Sequence, residues 1–290
     1  MGAVLKSLSA RPGPFRRRFI RGAVAASLFA VATVCAGGAH AIEWLRVCAD
    51  PDNMPFSNHE GEGFENKLAE LIAKKLGGKV SYSWIPERRG LLRHPMGDNA
   101  CDLLLGYAQD TGLVEDTNPY YHTSYVLIYR ADDASLAGID SLKDPRLKNK
   151  RIGLVARTPP ASMLAMNGLT ASAKPFEVGR GSSISGADAM IAEVAAGTLD
   201  TALLWGPVGG FAAQRASKPL NIVPLIKEQA GPSAIYAITM GVRPNEPQWK
   251  HQINKVIEEN RAEIDQILLA FNVPVLDAHG KPVEPRPADR

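Results

Sequence analysis

Few groupings in this 290-residue chain combine residue types and spacing that could do chemistry. The densest is the stretch LRVCADPDNMPFSN at residues 45–58, where an apolar run breaks at Asp50-Pro51 into a polar loop ending on Phe56. Asp50 and Asn53 there can hold a polar ligand, or close their own turn through side-chain hydrogen bonds to the backbone, the commoner role for such residues. Glu65 could act as an acid, but its place in the first turn of a helix suits it to the helix dipole. Arg88-Arg89 and Arg157 offer cations, but the first reads more often as an exposed turn and the second more often as a solvated loop arginine. Catalytic signatures are missing: the chain has no Gly-x-Ser-x-Gly, His-Glu-x-x-His, Cys-x-x-Cys, P-loop or complete Gly-x-Gly-x-x-Gly. Its six histidines are scattered, without metal-ligand spacing. The pattern points to a binding protein with no cofactor and no metal rather than to an enzyme.

Charge and targeting narrow the class. Six of the 33 basic residues and none of the 30 acidic ones fall in the first 41 positions, so the remainder is slightly acidic and nucleic acid is not an expected partner. That basic segment ends in Arg16-Arg17-Arg18-Phe19-Ile20-Arg21; an uncharged Ala- and Gly-rich run follows, and Ala39-His40-Ala41 has the form of a cleavage site. Residues 1–41 are therefore expected to be a signal peptide, its arginines also suiting a twin-arginine leader, and the mature chain to be exported and not membrane-embedded. Cys48 and Cys101 would survive processing. Two readings are open for them: a disulfide, closing a 53-residue loop at a gain of roughly 4 kcal/mol, or two buried thiols.

The elements that must position these residues alternate strand and helix. Residues 45–48 read as a strand, 63–76 as an amphipathic helix stopped by Gly77-Gly78, and 80–84 as a second strand. The compact run 102–106 suits a strand covered on both faces, and 125–129 adds a fourth. The grammar then restarts at 151–155, with a helix start at Thr158-Pro159-Pro160, a helix at 187–196 and a covered strand at 199–205. Trp249, Ile253, Val256, Ile257, Ile264, Ile267, Leu268 and Phe271 stripe one long C-terminal helix. This predicts an α/β fold of two lobes, each a mostly parallel sheet flanked by helices, with crossovers between them. The expected bounds are 42–130 for lobe 1, 131–228 for lobe 2, 229–273 for the return to lobe 1, and 274–290 for a proline-rich tail, extended or disordered. Ligand sites in such sheets lie beyond the carboxyl ends of strands, where the loop from Asp50 to Phe56 falls.

In order, the stretches CADPDNMPFSN, GFENKLAELIAKKLG, CDLLLG, NPYY and AAGTLDTALLWGPVGGF resemble bacterial periplasmic solute-binding proteins of the amino-acid type over nearly the whole mature chain. VCADPDNMPFSN, GEGFENK, PERRG, ACDLLLG and NPYYHTSYV are similar to a narrower branch, the J-type accessory proteins encoded with methanol dehydrogenases. The resemblance implies a two-lobed periplasmic-binding-protein-like fold. Amino-acid binders of this kind carry an Arg between the third strand and the Pro-Tyr-Tyr segment, forked onto the ligand carboxylate, and an Asp at the end of a second-lobe strand for the amino group. Here residues 107–118 contain no Arg or Lys but Asp110, Glu115 and Asp116, and Trp205 stands at the Asp position. Each lost charge-assisted contact is worth about 1.5–3 kcal/mol, so binding of a zwitterion is expected to be weak. By motif position the cleft residues are Asp50, Asn53, Phe56, Arg88, Tyr107, Tyr120, Arg157 and Trp205. The branch implies a non-catalytic periplasmic protein that assists maturation or activation of a lanthanide- or calcium-dependent, PQQ-containing methanol dehydrogenase; the oligomeric state is left open, with a monomer favoured. The alternative is an ABC-transporter receptor for an unusual small ligand.

Overall fold

The computed structural model describes residues 42–86, 96, 99–109, 112, 114–177, 183–228 and 234–284. The expected signal peptide at residues 1–41, Arg88, Asp110 and the last six positions lie outside them.

The first sheet grows from β1 (Trp44–Ala49), whose burial alternates before its end is fully covered. The short hairpin β2 (Asp52–Asn53) and β3 (Ser57–Asn58) follows, and then helix α1 (Phe64–Lys75), which buries Phe64, Leu68, Leu71 and Ile72. Gly77 ends the helix at φ +79°, a conformation open to glycine at no steric cost. Next come β4 (Lys79–Trp84), β5 (Leu103–Ala108), β6 (Glu115–Asp116) and β7 (Tyr121–Thr123). β4 and β5 both run parallel to β1. Leu103 and Leu105 face one apolar cluster and Leu104 another, as strand alternation requires; Tyr107 joins Leu104 because Gly106, at φ +73°, breaks the alternation between them. Cys48 and Cys101 are joined, with Cα atoms 5.4 Å apart, which resolves the two sequence readings in favour of the disulfide.

The chain then leaves through Ser124 into a second sheet. β8 (Tyr125–Arg130) pairs antiparallel with β11 (Thr201–Trp205) and with β12 (Leu220–Pro224). β9 (Ile152–Val155) lies between β11 and β10 (Ala173–Phe176), all three parallel. This corrects the expected boundary at 130: β8 belongs to the second sheet, and the crossover comes about six residues earlier. The strand's apolar run could not say which sheet it joins, because that is settled by pairing. Helices α2 (Pro159–Met166), α3 (Ser183–Ala196) and α4 (Gly206–Gln214) cover this sheet. Leu127 and Tyr129 face one cluster, Val126 and Ile128 the other.

β13 (Tyr236–Val242) returns to the first sheet, antiparallel to β5, β6 and β7. The striped C-terminal segment is two helices, α5 (Pro247–Glu259) and α6 (Arg261–Ala270), and not one. The break is at Asn260, whose amide side chain donates to the Val256 carbonyl, a local bond that competes with helix propagation. Arg261 then donates to the carbonyls of Pro119 and Tyr120 and fixes the new direction. The tail to residue 284 buries Val275 and Leu276 and then turns back on itself at residues 277–281, where Leu276 pairs antiparallel with Pro282.

Candidate functional site

A cleft of about 650 Å³ lies between the two sheets at the carboxyl ends of β1, β9 and β11. The loop after β1 forms one rim and is held by its own hydrogen bonds. The Asp52 amide donates to the Asp50 carboxylate at 2.9 Å, and the Ser57 hydroxyl donates to the Asp50 carbonyl at 2.8 Å. Asp50 thus plays the turn-closing role as well as lining the cleft. The first amides of α1 are used in the same way: Phe64 and Glu65 donate to the carbonyls of Pro55 and Phe56, at 2.8 and 2.9 Å. The carboxamide oxygen of buried Asn66 accepts from Asn58 and Gly63. A helix N-terminus that could hold an anion is therefore turned onto its own loop.

The floor is apolar and aromatic. Phe56 lines the cleft and also packs on Phe64, with ring centroids 5.2 Å apart, so it is both wall and core. Leu104, Leu105, Tyr107 and the disulfide end at Cys48 continue the first-lobe wall. Among the described residues the buried hydroxyl of Tyr107 finds no hydrogen-bond partner. The second lobe contributes Val155, Thr158, Pro160, Leu203, Leu204 and Trp205. Trp205 stands edge-on to Tyr125 and Tyr236, with centroids 5.1 Å from each, and those two are 5.9 Å apart. Tyr125 follows the first crossover and Tyr236 ends the second, so the trio sits where both chain crossings pass. Burial pushes the Tyr125 hydroxyl pKa well up, with Tyr236 adding to the shift, so the hydroxyl stays protonated.

The described lining carries two carboxylates, Asp50 and Glu65, and no Lys, Arg or His. Glu65 lies against Gly106, so close that a Cβ on Gly106 would come 2.1 Å from its Oε1. An acidic, apolar wall repels a ligand carboxylate and offers it no guanidinium fork.

Of the residues selected by motif position, Asp50, Asn53, Phe56, Tyr107 and Trp205 meet in this cleft. Tyr120 does not. It is fully buried in the first-lobe core, where its hydroxyl accepts the Gly106 amide at 3.0 Å and burial drives its pKa far up. The Pro-Tyr-Tyr segment marks the family's layout, but its first tyrosine points into protein. Arg157 does not line the cleft either: at φ +61° its side chain is 85% exposed and paired with Glu177 at 2.9 Å, the solvated alternative. Arg88 lies outside the described residues. Sequence reasoning underweighted Glu65 and missed Thr158, Pro160 and Tyr125; the first two follow β9, where the strand-end rule would have found them. Among the described residues no group of His, Cys, Asp and Glu could hold a metal ion, and no helix is long and apolar enough to cross a membrane.

Similarity to known proteins agrees with this architecture. Protein MoxJ of Methylorubrum extorquens AM1 is 29% identical over 247 residues, 80% of this chain and 81% of the relative. The crystal structure of periplasmic binding protein XoxJ from Methylobacterium extorquens AM1 superposes with a TM-score of 0.66 at 36% identity, over 80% of this chain and 99% of that one. MxaJ from Methlophaga aminisulfidivorans MPT gives a TM-score of 0.69 at 25% identity, over 80% and 100%. Residues 45–271 match the family described as bacterial extracellular solute-binding proteins, family 3, from the first strand through the last helix. With the strand order and the inter-lobe cleft in place, the chain belongs to the bacterial extracellular solute-binding proteins of family 3, as an MxaJ/XoxJ-like member.

Proposed function

We propose that this chain is a non-catalytic periplasmic accessory protein that binds a quinoprotein methanol dehydrogenase and assists its maturation or activation. The observation that carries the reading is the chemistry of the cleft: a solute-binding fold whose described lining has two carboxylates, aromatic walls and no cation. Such a surface disfavours a zwitterionic amino acid and suits an apolar or basic polypeptide segment. Similarity to MoxJ, XoxJ and MxaJ supports the assignment of the partner to the methanol-oxidation system. Export fits the leader-like first 41 residues and a disulfide, which persists in an oxidising compartment. In this role Asp50, Asn53, Phe56, Tyr107 and Trp205 form the contact surface.

Affinity capture from periplasmic extract, paired with a deletion strain, tests the reading. The expected result is co-purification of a PQQ-dependent dehydrogenase and low methanol-oxidising activity in the deletion strain. Normal activity together with an empty capture would overturn it. One observation favours a second reading, a transporter receptor for a small ligand: the volume of about 650 Å³ lies in the range of small-molecule sites. Thermal-shift screening separates the two, since a ligand present at a hundred times its Kd adds roughly 2.7 kcal/mol of stability.

A further inference from the structure

The C-terminal segment past α6 binds both lobes. On the first-lobe side, Val273 and Val275 are buried in the same apolar cluster as α1 and β13. The Leu276 amide donates to the His122 carbonyl at 2.8 Å, which makes the segment a neighbour of β7, the last strand before the first crossover. The Thr123 hydroxyl donates to the Pro274 carbonyl at 3.0 Å, one residue before the chain leaves for the second sheet.

The same segment and the end of α6 grip α4, which belongs to the second lobe. The Asn272 carboxamide donates to the Gly210 carbonyl at 2.8 Å, and the Gln214 carboxamide donates to the Ala270 carbonyl at 3.2 Å. Phe211 stacks on Phe271, with centroids 5.8 Å apart. The approach is close enough to require glycine: a Cβ on Gly210 would come 1.9 Å from the Asn272 carbonyl oxygen, and one on Gly206 would come 2.8 Å from Pro274 Cγ. Further along, Gly280 lies against Ile226 and Ile235, which flank the second crossover. The aromatic trio of Tyr125, Trp205 and Tyr236 fills the space between the two crossovers.

A two-lobed binding protein that closes on its ligand must change the backbone angles at its crossovers while its lobes rotate as rigid bodies. Here rotation would have to break the α4 joint, unpair the segment from β7, and strip buried Val275 and Leu276 together. We infer that residues 272–283 are a strap that fixes the angle between the lobes, so that the cleft keeps one aperture whatever molecule fills it. The inference stands independently of the proposed partner. It makes this protein a rigid cradle and not a trap that shuts.

Double electron–electron resonance measures the aperture directly. Spin labels are placed at Glu70→Cys on α1 and Lys148→Cys on the second lobe, both exposed, with the native cysteines protected in their disulfide. The full chain should give one narrow distance distribution. A chain ending at Asn272 should give a broad one, narrowed again by adding a synthetic peptide of residues 273–284. Gly210→Ala, which keeps the strap but forces its joint apart, should broaden the distribution as well. A broad distribution in the full chain overturns the inference, as does an unchanged width in a truncated chain that retains its near-ultraviolet circular dichroism. Should truncation abolish folding, Gly210→Ala decides alone: a broadened distribution supports the strap, and an unchanged one overturns it.

Discussion

The Glu65 carboxylate occupies the space in which a side chain at position 106 would stand, with its Oε1 2.1 Å from where a Cβ on Gly106 would be. Gly106 also has φ +73°, so glycine is required there by both backbone and neighbour. Gly106→Ala should destabilise the protein by about 1–2 kcal/mol from the left-handed backbone alone and displace Glu65 within the cleft. Adding Glu65→Ala relieves the contact but not the backbone term. Urea unfolding of the two single variants and the double variant should therefore show non-additivity; simple additivity would disprove the contact.

Tyr107 offers a test of what fills the cleft. A buried hydroxyl without a partner costs about 1–3 kcal/mol, so Tyr107→Phe should leave the free protein equally or more stable in chemical denaturation. A client that bonds to this hydroxyl would instead be held more weakly by the variant. Calorimetric titration against the captured partner measures that half of the prediction.

Cys48 and Cys101 tie the end of β1 to the start of β5 across 53 residues. In the chain-entropy account a loop of this length contributes roughly 4 kcal/mol. Double replacement by Ala should lower the stability by an amount of that order, read from urea midpoints. Intact mass with and without reductant should differ by about two daltons in the unmodified chain, because reduction adds one hydrogen to each sulfur.

Acid should loosen the first lobe through Asp102. Burial alone would raise its carboxyl pKa, but hydrogen bonds from Arg46 and Arg243 outweigh burial and hold it below the ordinary carboxylate value. Arg46 reaches Asp102 at 2.5 Å and Arg243 at 3.1 Å. A depressed folded pKa adds stability that is complete above the unfolded value and fades as pH falls through the folded one. Unfolding free energy should therefore drop below about pH 4, and Asp102→Asn should be less stable at neutral pH with a shallower acid slope. Equal slopes in the two proteins would contradict this assignment.

Local pattern made most of the elements legible. Alternation announced β1, the apolar face of residues 63–76 announced α1, and the helix expected to end at 196 does so, with Gly197 at φ +80° following it. The first rim of the cleft was visible for the same reason, since Asp50, Asn53 and Phe56 follow one strand directly in the chain. Residue type and periodicity set such features because neighbours in sequence are neighbours in space. Membership of β8 in the second sheet, the pairing of Cys48 with Cys101, burial of Tyr120 and the outward turn of Arg157 were decided by contacts between distant segments. The strap is the clearest case. A proline-rich tail reads as loose because few of its residues are apolar, yet Val275 and Leu276 find a groove built by β7 and the packed helices. Burial depends on what the rest of the chain presents, and only the assembled fold presents it.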